Sequence, residues 1–118
     1  MKIALIGAGH WGINLARNLH ALEVLSHVVE MNAEIIDAVS EKISDVEFLD
    51  NYDALLNSEI DAVAISTPTS THYEIALKFL EAGKDVFIEK PMTISSREAE
   101  EIVRVSEANQ RILMVGHI

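Results

Sequence analysis

The run Ile3 to Ile6 leads without a break into Gly7-Ala8-Gly9-His10-Trp11-Gly12, and the stretch Ile13 to Leu22 that follows carries apolar residues at helical spacing. A G-x-G-x-x-G alone is a weak signal, because three glycines at that spacing arise by chance. A buried-type strand before it and a helix after it place these glycines at a strand-to-helix turn. Gly7 permits the tight bend, Gly9 leaves no side chain between the backbone and a pyrophosphate, and Gly12 lets helix and strand approach closely. The first amides of the helix have no internal partners and carry the positive end of the aligned peptide dipoles, so an anion is bound there without a lysine. His10 and Trp11 belong to the same loop and count among its candidate cofactor-contacting residues. The competing reading is a glycine-rich turn that only packs.

The second apolar run supplies what the glycines lack. Leu25 to Val29 ends at Glu30, eighteen residues after Gly12, where a dinucleotide fold places an acid for the adenosine ribose. A carboxylate accepts hydrogen bonds from both ribose hydroxyls and repels a 2′-phosphate. Met31, Asn32, Ala33, Glu34 and Ile35 offer no cation to compensate. The expected cofactor is NAD rather than NADP, with an ordinary solvated acid at a strand end as the alternative.

Composition narrows the class. The 118 residues are read as one dinucleotide-binding domain, 1–118, whose 49% hydrophobic content is ample for a layered core. No cysteine is present, which removes disulfides, a thiolate nucleophile and Cys-based zinc, and suits a reducing cytoplasm. No stretch is long and apolar enough for a membrane span, so the expectation is a soluble chain. The formal charge of −10 is uneven, with eleven acids between Glu23 and Asp61 against Lys42 alone, a balance that repels nucleic acid and anionic lipid. Asp37, Glu41 and Asp45 read as the solvated face of a helix, and the five histidines, His10, His20, His27, His72 and His117, lack paired ligand spacing; no metal is assigned.

Periodicity predicts strands over Lys2 to Ile6, Leu25 to Glu30, Val46 to Leu49, Ala62 to Ser66, Asp85 to Glu89 and Ile112 to Val115. Helices are expected over Trp11 to Leu22, Ala33 to Ser44, Tyr52 to Asn57, Thr71 to Ala82 and Ser95 to Asn109, with a capping box at Ser95/Glu98 and stops at Gly83 and Asn109. Regular alternation argues an α/β fold, a doubly wound parallel sheet of about six strands in a three-layer α/β/α arrangement. Ligand then lies at the carboxyl edge, where five segments converge: Gly7 to Gly12, Glu30 to Asn32, Ser66 to His72, Glu89 to Met92 and Gly116 to Ile118.

Two of these segments carry chemistry. Thr67 and Pro68 sit at a strand tip as candidate cofactor contacts, Thr69 or Ser70 is the expected helix cap, and His72 either bonds the helix end or lines the nicotinamide end of a cleft. Glu89-Lys90-Pro91 puts a lysine at the mouth of that cleft, able to hold a substrate hydroxyl or assist its proton loss. The alternative is a surface ion pair, with Pro91 a strand terminator whose bond to Lys90 can be cis or trans.

Taken together, the glycine loop, Thr67-Pro68 with His72, the stretch Ala76-Leu77 through Ala82-Gly83-Lys84-Asp85-Val86, and Glu89-Lys90-Pro91 resemble the glucose-fructose oxidoreductase, inositol dehydrogenase and MocA family over essentially the whole chain. Trp11-Gly12 and Met114-Val115-Gly116-His117 are most similar to members acting on UDP-N-acetyl amino sugars. The resemblance implies a Rossmann domain and hydride transfer from a sugar hydroxyl to NAD or NADP, with Lys90 as the catalytic contact to that hydroxyl and Glu89 supporting the cleft and cofactor. Family members continue for roughly another full domain, which binds substrate and supplies an Asp-x-x-x-His pair. His117 is not taken to replace that histidine. Sugar or nucleotide-sugar substrate is therefore expected only with a second domain, and the chain alone is expected to bind NAD without catalysing. Exposure of a normally covered face predicts a homo-oligomer. The alternative is a stand-alone, non-catalytic dinucleotide-binding or sensing module.

Overall fold

The apolar runs assemble into one parallel sheet because each is flanked by amphipathic helices that cover it. A computed structural model describes residues 1–116. The strands are β1 (Ile3–Ile6), β2 (Leu25–Val29), β3 (Glu47–Leu49), β4 (Ala62–Ile65), β5 (Asp85–Glu89) and β6 (Leu113–Gly116); the helices are α1 (Gly12–Ala21), α2 (Ala33–Ser40), α3 (Thr69–Glu81) and α4 (Ser96–Ala108). A single 3-10 turn, Asp53–Leu55, stands where a short helix is predicted from Tyr52 to Asn57. The strand order is β3-β2-β1-β4-β5-β6, with every neighbouring pair parallel. The chain winds outward from β1 through β3, then returns to β4 on the other side of β1, so the order reverses between β1 and β4, where a doubly wound sheet opens a crevice.

The two faces have separate cores. Leu5, Ala8, Ala16, Val28, Val39 and Ala64 pack on the side of α1 and α2, whereas Ile6, Ile65, Ile75, Phe79, Leu80, Ile88 and Ile102 pack on the side of α3 and α4. Alternation along β1, with Leu5 facing one layer and Ala4 and Ile6 the other, is what a strand buried on both faces requires. Register brings the strand ends level: Ile6 pairs with Val29 and with Ile65, and Ile65 with Ile88. Gly7, Glu30, Ser66 and Glu89 therefore share one edge of the sheet.

Three local expectations are corrected. Helix α2 ends at Ser40 rather than Ser44, and Asp45 lies beyond it with φ +62, so it does not continue the helical face of Asp37 and Glu41. Ile43 is buried after the helix by a turn in which its amide donates to the Val39 carbonyl. Helix α3 starts at Thr69 with Pro68 in the capping position and no side-chain cap; neither Thr69 nor Ser70 fills that role. At α4 the Ser95 oxygen accepts from the Glu98 amide at 3.2 Å, as the capping pattern predicts. Residues 117 and 118, and with them His117 and Ile118, lie outside the described residues. No helix among the described residues is long and apolar enough to cross a membrane.

On the outer side of the α3–α4 pair, the Tyr73 hydroxyl donates to the Glu101 carboxylate. That bond, then burial and the charges of Glu101 and Glu98, raise the phenol above the ordinary tyrosine range. A raised folded value means that the tie stabilises the fold below about pH 10, the ordinary phenol value, and is lost as pH climbs through the higher folded one. In an alkaline absorbance titration, Tyr73→Phe should remove a tyrosine step that lies above the ordinary phenol range. A single step unchanged by the substitution would contradict this.

Candidate functional site

The edge of the sheet holds two clefts that share one wall. The tip after β4, Ser66-Thr67-Pro68, borders both. On the β2–β3 side a space of about 570 Å³ is lined by Gly7, Gly9, Glu30, Met31, Asn51, Tyr52, Thr71 and Lys78. On the β5–β6 side a space of about 580 Å³ is lined by His10, Trp11, Thr69, His72, Glu89, Lys90 and Gly116. All the sequence-derived site residues except Gly12 border one of the two clefts, and Gly12 is buried beneath the loop.

The three glycines differ in why they are glycine. Gly7 has φ +92, in the left-handed region, and a Cβ there would stand 2.8 Å from the Ser66 carbonyl oxygen. A Cβ on Gly12 would overlap the Gly7 carbonyl oxygen. Both are demanded by the close crossing of β1, β4 and α1. Gly9 is different: a Cβ there would meet nothing within 4 Å, so the protein's own packing does not ask for glycine at this position on the wall of the first cleft.

Glu30 joins the loop to the second strand. One carboxylate oxygen accepts from the Ala8 amide at 2.9 Å and the other from the Asn32 amide at 3.0 Å. Each oxygen keeps a further lone pair for an external donor. Asn32 in turn caps α2 by accepting from the Glu34 amide at 2.9 Å, so the acid is held in a chain of short local bonds. Across this cleft Lys78 pairs with Glu74 at 3.1 Å, donates to the Tyr52 hydroxyl at 3.3 Å, and has its ammonium 5.5 Å from the centre of the Tyr52 ring. These contacts, that to Glu74 first, raise the Lys78 ammonium above its ordinary range.

In the second cleft the Trp11 indole donates to the Glu89 carboxylate at 3.0 Å, linking the glycine turn to the end of β5. Gly116 lies against the same carboxylate; a Cβ there would approach the Glu89 oxygen to 3.1 Å and the Phe87 ring to 2.8 Å. Lys90 is exposed at the mouth and the Lys90–Pro91 bond is cis. His72 is buried, with both ring nitrogens on main-chain carbonyls.

A strand, a glycine turn lining a cleft, an acid at the end of the second strand, and a crevice at the reversal of strand order are the parts of a dinucleotide site. Residues 1–117 match the model of an oxidoreductase family with an NAD-binding Rossmann fold, the glucose-fructose oxidoreductase, inositol dehydrogenase and MocA family. The chain belongs to this family. It is 37% identical over its whole length to UDP-N-acetylglucosamine 3-dehydrogenase of Acidithiobacillus ferrooxidans and 35% identical over 85% of its length to the NAD-dependent scyllo-inositol 2-dehydrogenase of Bacillus subtilis. The solved structure of the Acidithiobacillus enzyme superposes with a TM-score of 0.90 at 36% identity, over 99% of this chain. The chain spans only about a third of these relatives: 37% of the first enzyme, 30% of the second and 37% of the solved chain.

The family's NAD-binding domain is thus what these residues form, as the glycine loop and Glu30 predict. Asn51, Tyr52, Thr71 and Lys78 line the first cleft without having been singled out as site residues. The turn after β3 also leads to the carboxyl edge, and including it with the other edge segments would have found Asn51 and Tyr52.

Proposed function

We propose that this chain is the cofactor half of an NAD-dependent dehydrogenase of a sugar or nucleotide-sugar hydroxyl, binding NAD by itself and acting on substrate only together with a further domain. The observation that carries the cofactor placement is Gly9: a glycine that neither backbone conformation nor packing demands, facing open space at a helix N-terminus. NAD's pyrophosphate fits there against the loop amides, with Gly7 and Gly12 setting the turn and His10 and Trp11 flanking it. Glu30 would hold its adenosine ribose, and Met31 and Tyr52 line the adjoining part of the same cleft. Thr67 and Pro68, on the wall shared by both clefts, would hold its middle, and His72, Glu89 and Lys90 would line its nicotinamide end.

NAD supplies a hydride acceptor. Lys90, at the mouth of the second cleft, is placed to donate a hydrogen bond to the reacting hydroxyl and to stabilise charge on its oxygen as the proton leaves. Glu89, held by the Trp11 indole, shapes the floor and orients the glycine turn over it. NAD bound there would take the hydride from the carbinol carbon, and the hydroxyl proton, on the oxygen that Lys90 would hold, would pass to a base of the further domain. Similarity to the Acidithiobacillus UDP-N-acetylglucosamine dehydrogenase supports a nucleotide-sugar substrate. The absence of cysteine supports a cytoplasmic setting. Exposed Ile112 and Met114 at the β6 edge, where Met114 pairs in register with Phe87, support self-association.

Titration with NADH tests the cofactor reading, since Trp11 is the sole tryptophan and lies at the cleft. Saturable quenching, matched by calorimetry, is expected, with an oligomer larger than a monomer by light scattering. No saturable signal by either binding method would remove the cofactor reading, and a monomer at all concentrations would remove the oligomer.

A further inference from the structure

His72 occupies an unusual position for a ring at the edge of a cofactor cleft. It is the fourth residue of α3 and only 1% exposed. Nε2 lies 2.8 Å from the carbonyl oxygen of Thr67, while Nδ1 lies 3.1 Å from that of Pro91 and 3.2 Å from that of Met92. All three partners are main-chain carbonyls, which accept and never donate. A neutral imidazole has one N–H and one lone pair, so it would turn that lone pair on an oxygen at hydrogen-bond distance. A ring with a proton on each nitrogen satisfies every contact.

We infer that His72 is a positioning residue, a doubly protonated clamp that fastens the tip after β4 to the turn after β5 and thereby sets Lys90 against Thr67 across the cleft. The two segments come from different strands, and the ring bridges them at the point where the second cleft begins. With both nitrogens committed to backbone, His72 has no basic atom to offer a substrate, and its contribution passes through Thr67 and Lys90. The ionisable side chains sharing its cleft are His10 on the glycine turn and Glu89 and Lys90 at the end of β5. The carbonyl dipoles of Thr67, Pro91 and Met92 face the ring from both sides.

The functional half of this inference rests on the cofactor reading above; the ring's proton count does not. Long-range proton–nitrogen NMR of the labelled chain at neutral pH should show His72 with a bonded proton on both ring nitrogens. A bare nitrogen on that ring would overturn the clamp. His72→Phe keeps the ring's volume and removes both donors. It should weaken NADH binding at least tenfold, whereas Ser106→Ala, which removes a buried hydroxyl bonded within α4, should leave NADH affinity within twofold. Unchanged NADH affinity in folded His72→Phe would overturn the positioning role. Where that variant fails to fold, the NMR signature of the unaltered chain decides alone. Failure of the unaltered chain to bind NADH would count against the cofactor site and leave the proton count of the ring standing.

Discussion

Gly9→Val should leave the protein folded and abolish most of its cofactor binding, whereas Gly12→Ala should unfold or severely destabilise it. The pair separates two reasons for glycine. At position 9 a side chain enters open space, so the change in stability is expected to stay within about 0.5 kcal/mol, the range of surface substitutions away from special features. Two added methyls would nevertheless stand between the loop amides and the pyrophosphate, and a loss of roughly tenfold to a hundredfold in NADH affinity follows from about 1.5–3 kcal/mol of charge-assisted hydrogen bonding. At position 12 a Cβ overlaps the carbonyl of Gly7, a backbone atom that cannot swing aside. Relief requires α1 to move off β1, at a cost of about 3 kcal/mol or more. Thermal melting beside NADH titration reads both. Wild-type affinity in Gly9→Val, or a wild-type melting point in Gly12→Ala, would contradict the division.

Glu30→Gln should lower NAD affinity by about tenfold and narrow the preference for NAD over NADP by a similar factor. The carboxylate spends one lone pair of each oxygen on the amides of Ala8 and Asn32 and has the others for the ribose hydroxyls. An amide brings a single acceptor oxygen, so it holds either the glycine loop or the turn into α2, and its NH₂ faces an amide donor on the other side. Losing one charged hydrogen bond accounts for a factor of about ten. The substitution also removes the negative charge that opposes a 2′-phosphate, so NADP loses less than NAD. Calorimetry with both cofactors tests the point; equal losses for NAD and NADP would show that the acid does not face the ribose.

Much of the fold is legible because the parallel sheet leaves so little freedom. Ala62 to Ile65 and Asp85 to Glu89 are short apolar runs bounded by acids and glycine, and no other element suits them. Boundaries failed where helical spacing outlasted the helix. Glu41 to Ser44 keep an amphipathic pattern, yet Ile43 is buried from a turn, and the left-handed backbone at Asp45 has no signature stronger than an acid's modest tolerance for it. At α3 the hydroxyl-rich run invited a side-chain cap. The structure instead turns the Thr71 hydroxyl back toward the Pro68 carbonyl at 2.7 Å and the Thr67 hydroxyl at 2.6 Å. Within the candidate site, Gly7, Gly9, Gly12 and Glu30 lie close together in sequence, so their grouping is legible there. The Trp11–Glu89 bond joins residues 78 apart, and the carbonyl partners of His72 belong to the backbone, which no side-chain pattern announces.

The wall formed by Ser66, Thr67 and Pro68 has an evolutionary consequence. Because these residues line both clefts, a substitution there alters the two walls at once. Met31, Asn51 and Tyr52 serve one cleft only, and Trp11 and Lys90 only the other. Divergence in ligand preference among sequences of this kind should therefore run along those two flanks, independently of each other, while the partition between them stays put.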